Sequence, residues 1–592
     1  MRFTTIALAA LAAIVASAAP AGAQAPETHF VCEEVGACEF NSIQAAVNTA
    51  TAGDTIRVRS GLYREHVTIP AGKDGLVLRG AQAGVPGSAR AGRSPTEESL
   101  VFGASYGASP GTALSVASSG VIVDGFSIGV YEQGIWSATS TSGLQVLNSR
   151  FANVGNSVVP DSNGEQETVI RSNAFERNAV NRGATKGYAI VTGASRGRLV
   201  VAHNRIVGHG SLLAHFGLRG RNVTVQGNRA SDSDGILATL LSVDGAVIEG
   251  NVVDSTTSTA LAYLSDTRDV AVTGNVVTGG GGTSGVILAR LNGPNRDPVI
   301  EANDFSGSGQ LDAIYARPGS VEGTLVARYN RFATGVRGLL ADGPFSIDAR
   351  FNWWGCNVGP NRPGCATLDR YQGASVRTFP WLTLSIETDS SRIVNAFGGT
   401  TTFRASLLRD SDGTVHEPTR FPRISFSVNS ASGSRVADLV HLHPGVVGGT
   451  LVADGGQGAD LEALVDGAEV RTHVDYGPAA APNPIPGPQG DGGAASQPGP
   501  TVSTTPTPAA NTCRTSARTL VCILAGKAGR ASRARGVTAT LYHSGRRIAT
   551  GSVRLSGGKV QLRVGRRVAA GRYDLVLTRA GRRLARQAVT VR

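Results

Sequence analysis

Eight asparagines, Asn173, Asn204, Asn228, Asn251, Asn275, Asn303, Asn330 and Asn352, recur at intervals of 31, 24, 23, 24, 28, 27 and 22 residues, each in the same apolar frame. A residue suited to a strand interior stands five and three positions before the Asn and another stands two after it, as in Val223-x-Val225-x-x-Asn228-x-Ala230 and Leu325-x-Ala327-x-x-Asn330-x-Phe332. Ser149 and Phe126 occupy the places of earlier members. Alternation inside a period in the twenties predicts a stack of short strands, each unit too small to bury its own apolar face and therefore buried by its neighbours. The coil must turn at each Asn, a residue that tolerates left-handed backbone and hydrogen-bonds locally. The column is expected to form a structural ladder along the axis, with no part in chemistry.

A chain of 592 residues exceeds one ordinary core, but a solenoid lengthens its core with each repeat. Residues 1–23 read as a secretory signal: Arg2, an apolar stretch from Ile6 to Ala18, then Ala21-Gly22-Ala23 as a cleavage site. No later stretch has the apolar length of a transmembrane helix, so the mature protein is expected to be secreted or associated with a cell surface, as a monomer. The six cysteines form three close pairs, Cys32/Cys38, Cys356/Cys365 and Cys513/Cys522, which in an oxidising compartment predicts three local disulfides. Zinc is the competing reading, but the pairs lie far apart and lack His partners at finger spacing. Formal charge is +12, unevenly divided: from Cys513 to Arg592 stand 17 Arg and 2 Lys against the single acid Asp574, so the rest of the chain is net acidic.

After the signal, Asn41-Ser42 is placed to cap a short helix with apolar residues Ile43, Ala46, Val47 and Ala50. The run Ser42-Ile43-Gln44-Ala45-Ala46-Val47 to Gly53-Asp54-Thr55-Ile56, then Gly61-Leu62-Tyr63-Arg64-Glu65, resembles the N-terminal cap of right-handed parallel β-helix proteins of the pectin-lyase-like superfamily. With the repeats and the closing Phe351-Asn352-Trp353-Trp354-Gly355, the resemblance covers about residues 30–382 and extends to NosD-like surface proteins. It implies an all-β fold, a right-handed parallel β-helix with a capping helix. It implies no single activity, since the superfamily includes lyases, esterases, hydrolases, tailspikes and adhesin-like proteins. The Gly-x-x-Asp-Phe-x-x-Gly segment of pectin esterases has no match here. Nor do aspartates recur at matching positions in successive coils to hold Ca²⁺, so no cofactor or metal is expected.

The expected domains are a β-helix over 24–380, an immunoglobulin-like β-sandwich over 381–476, a Pro/Gly-rich linker over 477–511 and a basic β-sandwich over 512–592. Strands are expected at Leu382–Ile386, Thr402–Leu408, Ile424–Val428 and Val470–Val474, with a hairpin turn at Asp410–Gly413.

Chemistry is sought on the second strand of each coil. Aligning Leu212–Phe216, Ile236–Leu240 and Ala260–Leu264 predicts that His215, Thr239 and Tyr263 stack on one outer face, with Arg290 and Arg317 continuing the row after a one-residue shift. The enlarged coil between Asn173 and Asn204 adds Lys186 and Tyr188, because solenoid insertions often line a binding face. Such a row suits an acidic polysaccharide: Arg grips a carboxylate, and Tyr or His moves a proton. The expected function is polysaccharide binding of an adhesin-like kind, with Lys186 and Arg317 as binding residues. The alternative is a lyase cleaving uronic-acid polymers by β-elimination through His215, Tyr263 and Arg290. Export argues that the basic C-terminal domain meets an anionic cell-wall polymer and not nucleic acid.

Overall fold

The computed structural model describes residues 25–90, 94–103, 111–176, 187–193, 197–208, 210–254, 259–278, 284–307, 312–431 and 433–477, and seven strands between 512 and 591. The expected signal, Lys186 and residues 478–511 of the expected linker lie outside the described residues. The chain divides into two compact units, Met1–Asn483 and Pro484–Arg592.

The first unit contains a parallel β-solenoid of about 12 turns. Its Asn column is continuous. From Asn173–Asn204 to Asn330–Asn352, the backbone N–H and the Nδ2 of each Asn donate to the Oδ1 of the next at 2.8–3.1 Å. The other Nδ2 hydrogen is given to a backbone carbonyl, as from Asn228 to Val201 at 2.9 Å. All eight are at most 1% exposed. Ser149 carries the ladder onward by donating its N–H to Asn173 Oδ1, and Phe126 donates to Ser149 Oγ. The left-handed backbone is not at the Asn. It is at the residue before, Ser172 (φ 60°), His203 (54°), Ala302 (58°), Tyr329 (55°) and Phe351 (58°), or at Gly227, Gly250 and Gly274. That residue makes the turn, which leaves the Asn amide aimed inward to saturate the corner. A non-glycine residue there costs roughly 1–2 kcal/mol, which the buried amide hydrogen bonds offset.

Each turn has three faces. After the Asn, an 11-stranded parallel sheet from Gly61–Tyr63 to Arg331–Phe332 forms one. The other two, here the first and second faces, are the two halves of a 25-stranded sheet whose strands often run unbroken across the corner, as Gly210–Gln226, Asp234–Glu249 and Thr259–Thr273 do. Ser242 (φ 55°) and Asp266 (φ 55°) mark that corner. The framing apolar positions all point inward: Val223, Val225, Ala230, Leu325, Ala327 and Phe332 are buried. Residues two past the ladder stack along the axis, Phe151 on Phe175 at 5.2 Å and Phe305 on Phe332 at 6.0 Å.

Helix α1 (Ile43–Thr49) closes the first turn. Ser42 Oγ accepts from Ala45 N, and Glu65 takes the N–H groups of Ile43 and Gln44 at 2.9 Å each. Cys32–Cys38 and Cys356–Cys365 are disulfides near the two ends of the solenoid.

Beyond it, two four-stranded sheets enclose a second core. The expected strands fall within Leu382–Thr388, Phe397–Asp410 and Ala468–Tyr476, whereas Ile424 and Phe426 are buried in irregular chain before the short strand Ser427–Ser430. Ser434–His443, Val446–Asp454 and Gly458–Val465 complete the sheets. The junction is specific. Trp354 packs in the solenoid core while its neighbour Trp353 packs in the second core and donates Nε1–H to Asp466 Oδ2 at 2.8 Å. Asp466 also receives Arg331, which in turn pairs with Asp304.

In the second unit, seven strands form one sheet, and its register sets Cys513 directly opposite Cys522.

Candidate functional site

Parallel register turns single outward residues into columns along the axis, with neighbours about 4.8 Å apart. On the first face one column runs Val191, Gly217, Thr239, Tyr263, Ile287, Tyr315 and Leu340. Trp136 holds an outward position nearer the N-terminus, beside Ser115 and Val159. Three aromatic side chains thus face outward on a narrow strip.

The column passes through a groove of about 400 Å³ lined by Tyr188, Val191, Thr192, Gly217, Leu218, Arg219, Ile236, Thr239, Leu241, Tyr263 and Leu291. Val191 to Tyr263 is three coil steps, about 14 Å. Its floor is Gly217, where a Cβ would stand 2.9 Å from Cε1 of Tyr188. The missing side chain lets the Tyr188 ring lie against the sheet, and burial pushes the Tyr188 phenol up from its ordinary pKa. Arg219 is held by backbone: its N–H donates to Thr192 Oγ1 at 2.6 Å. Leu291 is 68% exposed beside these rings, an apolar side chain with little protein over it. Among the described residues lining the groove there is no carboxylate and no histidine, so Arg219 and the two phenols are its ionisable groups.

Of the expected row, Thr239 and Tyr263 are direct neighbours. His215 is not with them. It is fully buried, and desolvation pushes its pKa down to about 3. The cause is a two-residue insertion: Gly210 pairs with Asp234 but Ala214 with Ile236, so Gly217 and not His215 lies beside Thr239. A neutral histidine inside the solenoid neither touches a surface ligand nor serves as its base. Arg290 follows the strand Val286–Ala289 and is exposed, its side chain reaching Gly319 on the next coil. Arg317 follows Asp312–Ala316, exposed, with its guanidinium 5.2 Å from the centre of the Tyr315 ring. Gly217, Arg219, Trp136 and Tyr315 belong to this face without being marked by the repeat pattern. The signal was there for the last two, since both occupy the outward place of a coil strand.

No family model matches the chain, and no curated protein does. Among solved structures, the tailspike protein of E. coli bacteriophage HK620 in complex with pentasaccharide is similar over 73% of this chain and 88% of its own, at 12% identity and a TM-score of 0.36. A mutant of the periplasmic alginate epimerase AlgG is similar over 55% of this chain and 73% of its own, at 12% identity and a TM-score of 0.31. Both resemblances are remote. The fold itself defines the class, a parallel β-solenoid with an open, aromatic-lined groove on one face.

Proposed function

We propose that the chain is an exported, surface-associated protein that binds a polysaccharide along the first face of the solenoid, seated in the groove between Tyr188 and Tyr263. The observation that carries this is the pairing of outward-facing, half-buried aromatic rings with a floor that has no side chain. A sugar ring presents an apolar face edged by hydroxyls, which suits a groove of aromatic and aliphatic side chains with a few placed polar groups. Thr239 and Arg219 supply those groups. The length of about 14 Å admits several sugar units. An acidic ligand places a carboxylate at Arg219, in the bidentate geometry a guanidinium favours.

The lining speaks for binding over β-elimination. A lyase needs a base at the C5 proton and a cation at the carboxylate; the described lining holds a cation but no carboxylate or histidine, which leaves a phenol as the one candidate base, and burial pushes the Tyr188 phenol further from that use.

Disulfides support export, and the pair of four-stranded sheets after the solenoid supports an immunoglobulin-like spacer over 381–476. We assign 24–380 to the β-helix, 477–511 to a linker and 512–592 to a basic domain that holds an anionic cell-wall polymer by charge. Washing cells at high salt tests the last assignment: release is expected, and persistence contradicts it. The binding reading is tested by retention of the purified protein on pectate, alginate, hyaluronan and chondroitin, with ultraviolet absorbance of unsaturated product followed in parallel. Retention without absorbance is expected. Absorbance on any of the four makes the protein a lyase.

A further inference from the structure

The second face carries a different concavity near the N-terminal end, of about 620 Å³, whose lining includes Phe30, Arg57, Arg59 and Arg79. Its three arginines converge by register. Arg57 points outward from Thr55–Val58, Arg59 lies two residues along on the same side, and Arg79 on the next coil is the direct partner of Arg57. Coil spacing and strand rise put their Cα atoms within about 7 Å along either direction. Phe30 is the partner of Arg57 on the preceding coil and is 41% exposed.

Positive charge here is in excess. The solenoid pairs many of its arginines, Arg90 with Glu98, Arg150 with Glu176 and Arg331 with Asp304. No ion pair holds Arg57, Arg59 or Arg79 among the described residues, and no acid lines the concavity. One acid neighbours the cluster by register, Asp124 beside Arg79; its Oδ1 accepts from Asn148 Nδ2 at 2.8 Å and Gly84 N at 3.1 Å and it makes no ion pair with Arg79, so three arginines face one carboxylate and positive charge stays in excess. Three exposed guanidinium groups lining one hollow make a positive potential that favours an anion there, and a planar fork of N–H donors matches carboxylate and sulfate oxygens.

We propose that Arg57, Arg59 and Arg79 form an anion-binding site for a carboxylated or sulfated sugar, with Phe30 packing against the sugar ring. The site is on another face from the groove and stands independently of it. Arginine supplies the affinity for charge. Phe30 separates a sugar acid from a bare oxyanion, because an inorganic ion has no ring to cover an exposed aromatic.

The test is calorimetric titration of the full-length protein with trigalacturonate, inorganic sulfate and inorganic phosphate, repeated with Arg57→Gln/Arg79→Gln and with Phe30→Ala. These side chains are on the surface, and circular dichroism confirms the fold of each variant. The double variant is expected to weaken trigalacturonate at least tenfold. Phe30→Ala is expected to weaken trigalacturonate while leaving sulfate unchanged. Wild-type affinity for trigalacturonate in the double variant overturns the proposal. Phosphate bound as tightly as trigalacturonate overturns its assignment to a sugar.

Discussion

Tyr188 lies against Gly217 so closely that a methyl group on Gly217 would stand 2.9 Å from the ring. The contact joins the enlarged coil before Asn204 to the outward column of the first face, and it makes the floor of the groove. Gly217 is not among the positive-φ residues of the chain, so a β-branched side chain suits its backbone. Gly217→Val is therefore expected to leave the melting temperature nearly unchanged while it displaces Tyr188 and lowers glycan affinity at least tenfold. Calorimetry on the folded variant checks this.

Tyr263 separates binding from proton transfer. If its ring face meets the sugar, Tyr263→Phe keeps most of the affinity and Tyr263→Ala loses about tenfold, or about 1.4 kcal/mol. A phenol acting as base would show the reverse dependence on the hydroxyl, with Tyr263→Phe as damaging as Tyr263→Ala in any turnover assay.

The ladder is expected to be intolerant. Asn251 accepts from Asn228 through both its N–H and its Nδ2, and donates to Val225 O and Asn275 Oδ1. Asn251→Ala leaves several buried donors and acceptors unmade, each worth about 1–3 kcal/mol. A loss of about 3 kcal/mol or more in denaturant unfolding is the expected result.

His215 predicts a pH dependence. Its folded pKa of about 3 lies below the ordinary value of about 6.5. Between these values the unfolded chain takes up a proton that the folded chain does not, so stability falls as pH drops from about 6.5 towards 3, by at most about 1.4 kcal/mol per pH unit. His215→Leu, beside the buried Leu237, is expected to flatten that part of the profile. Asp348 adds a separate acid limb. Burial raises its pKa, but the guanidinium groups of Arg350 and Arg328 outweigh this and hold it well below the carboxylate range. Its contribution is present above about 3.9 and is lost as pH falls below that.

What could be read from the chain follows from how local each feature is. The Asn column and its apolar frame repeat within one coil, so they were visible as spacing, and Ser42 announced its helix through one hydroxyl. Three things depended on more than one coil. The turn-making residue is Ser, His, Ala, Tyr, Phe or Gly in different coils, so no residue type marks it, and it was assigned to the Asn instead. The outward row depends on register, which the two extra residues before Ala214 shifted; Tyr263 kept its place and His215 went into the core. Tyr188 stands out as part of an insertion, yet its position over Gly217 requires a glycine on the next coil. Arg57, Arg59 and Arg79 were hidden inside a stretch whose apolar positions already explained it as a cap.

The groove is the central claim, and the most direct measurement is calorimetric titration of the full-length protein with whichever of pectate, alginate, hyaluronan or chondroitin retains it, beside Tyr188→Ala/Tyr263→Ala. The expected result is binding by the wild type and a loss of at least tenfold in the double variant with its fold intact. Equal affinity of the two proteins would contradict the account.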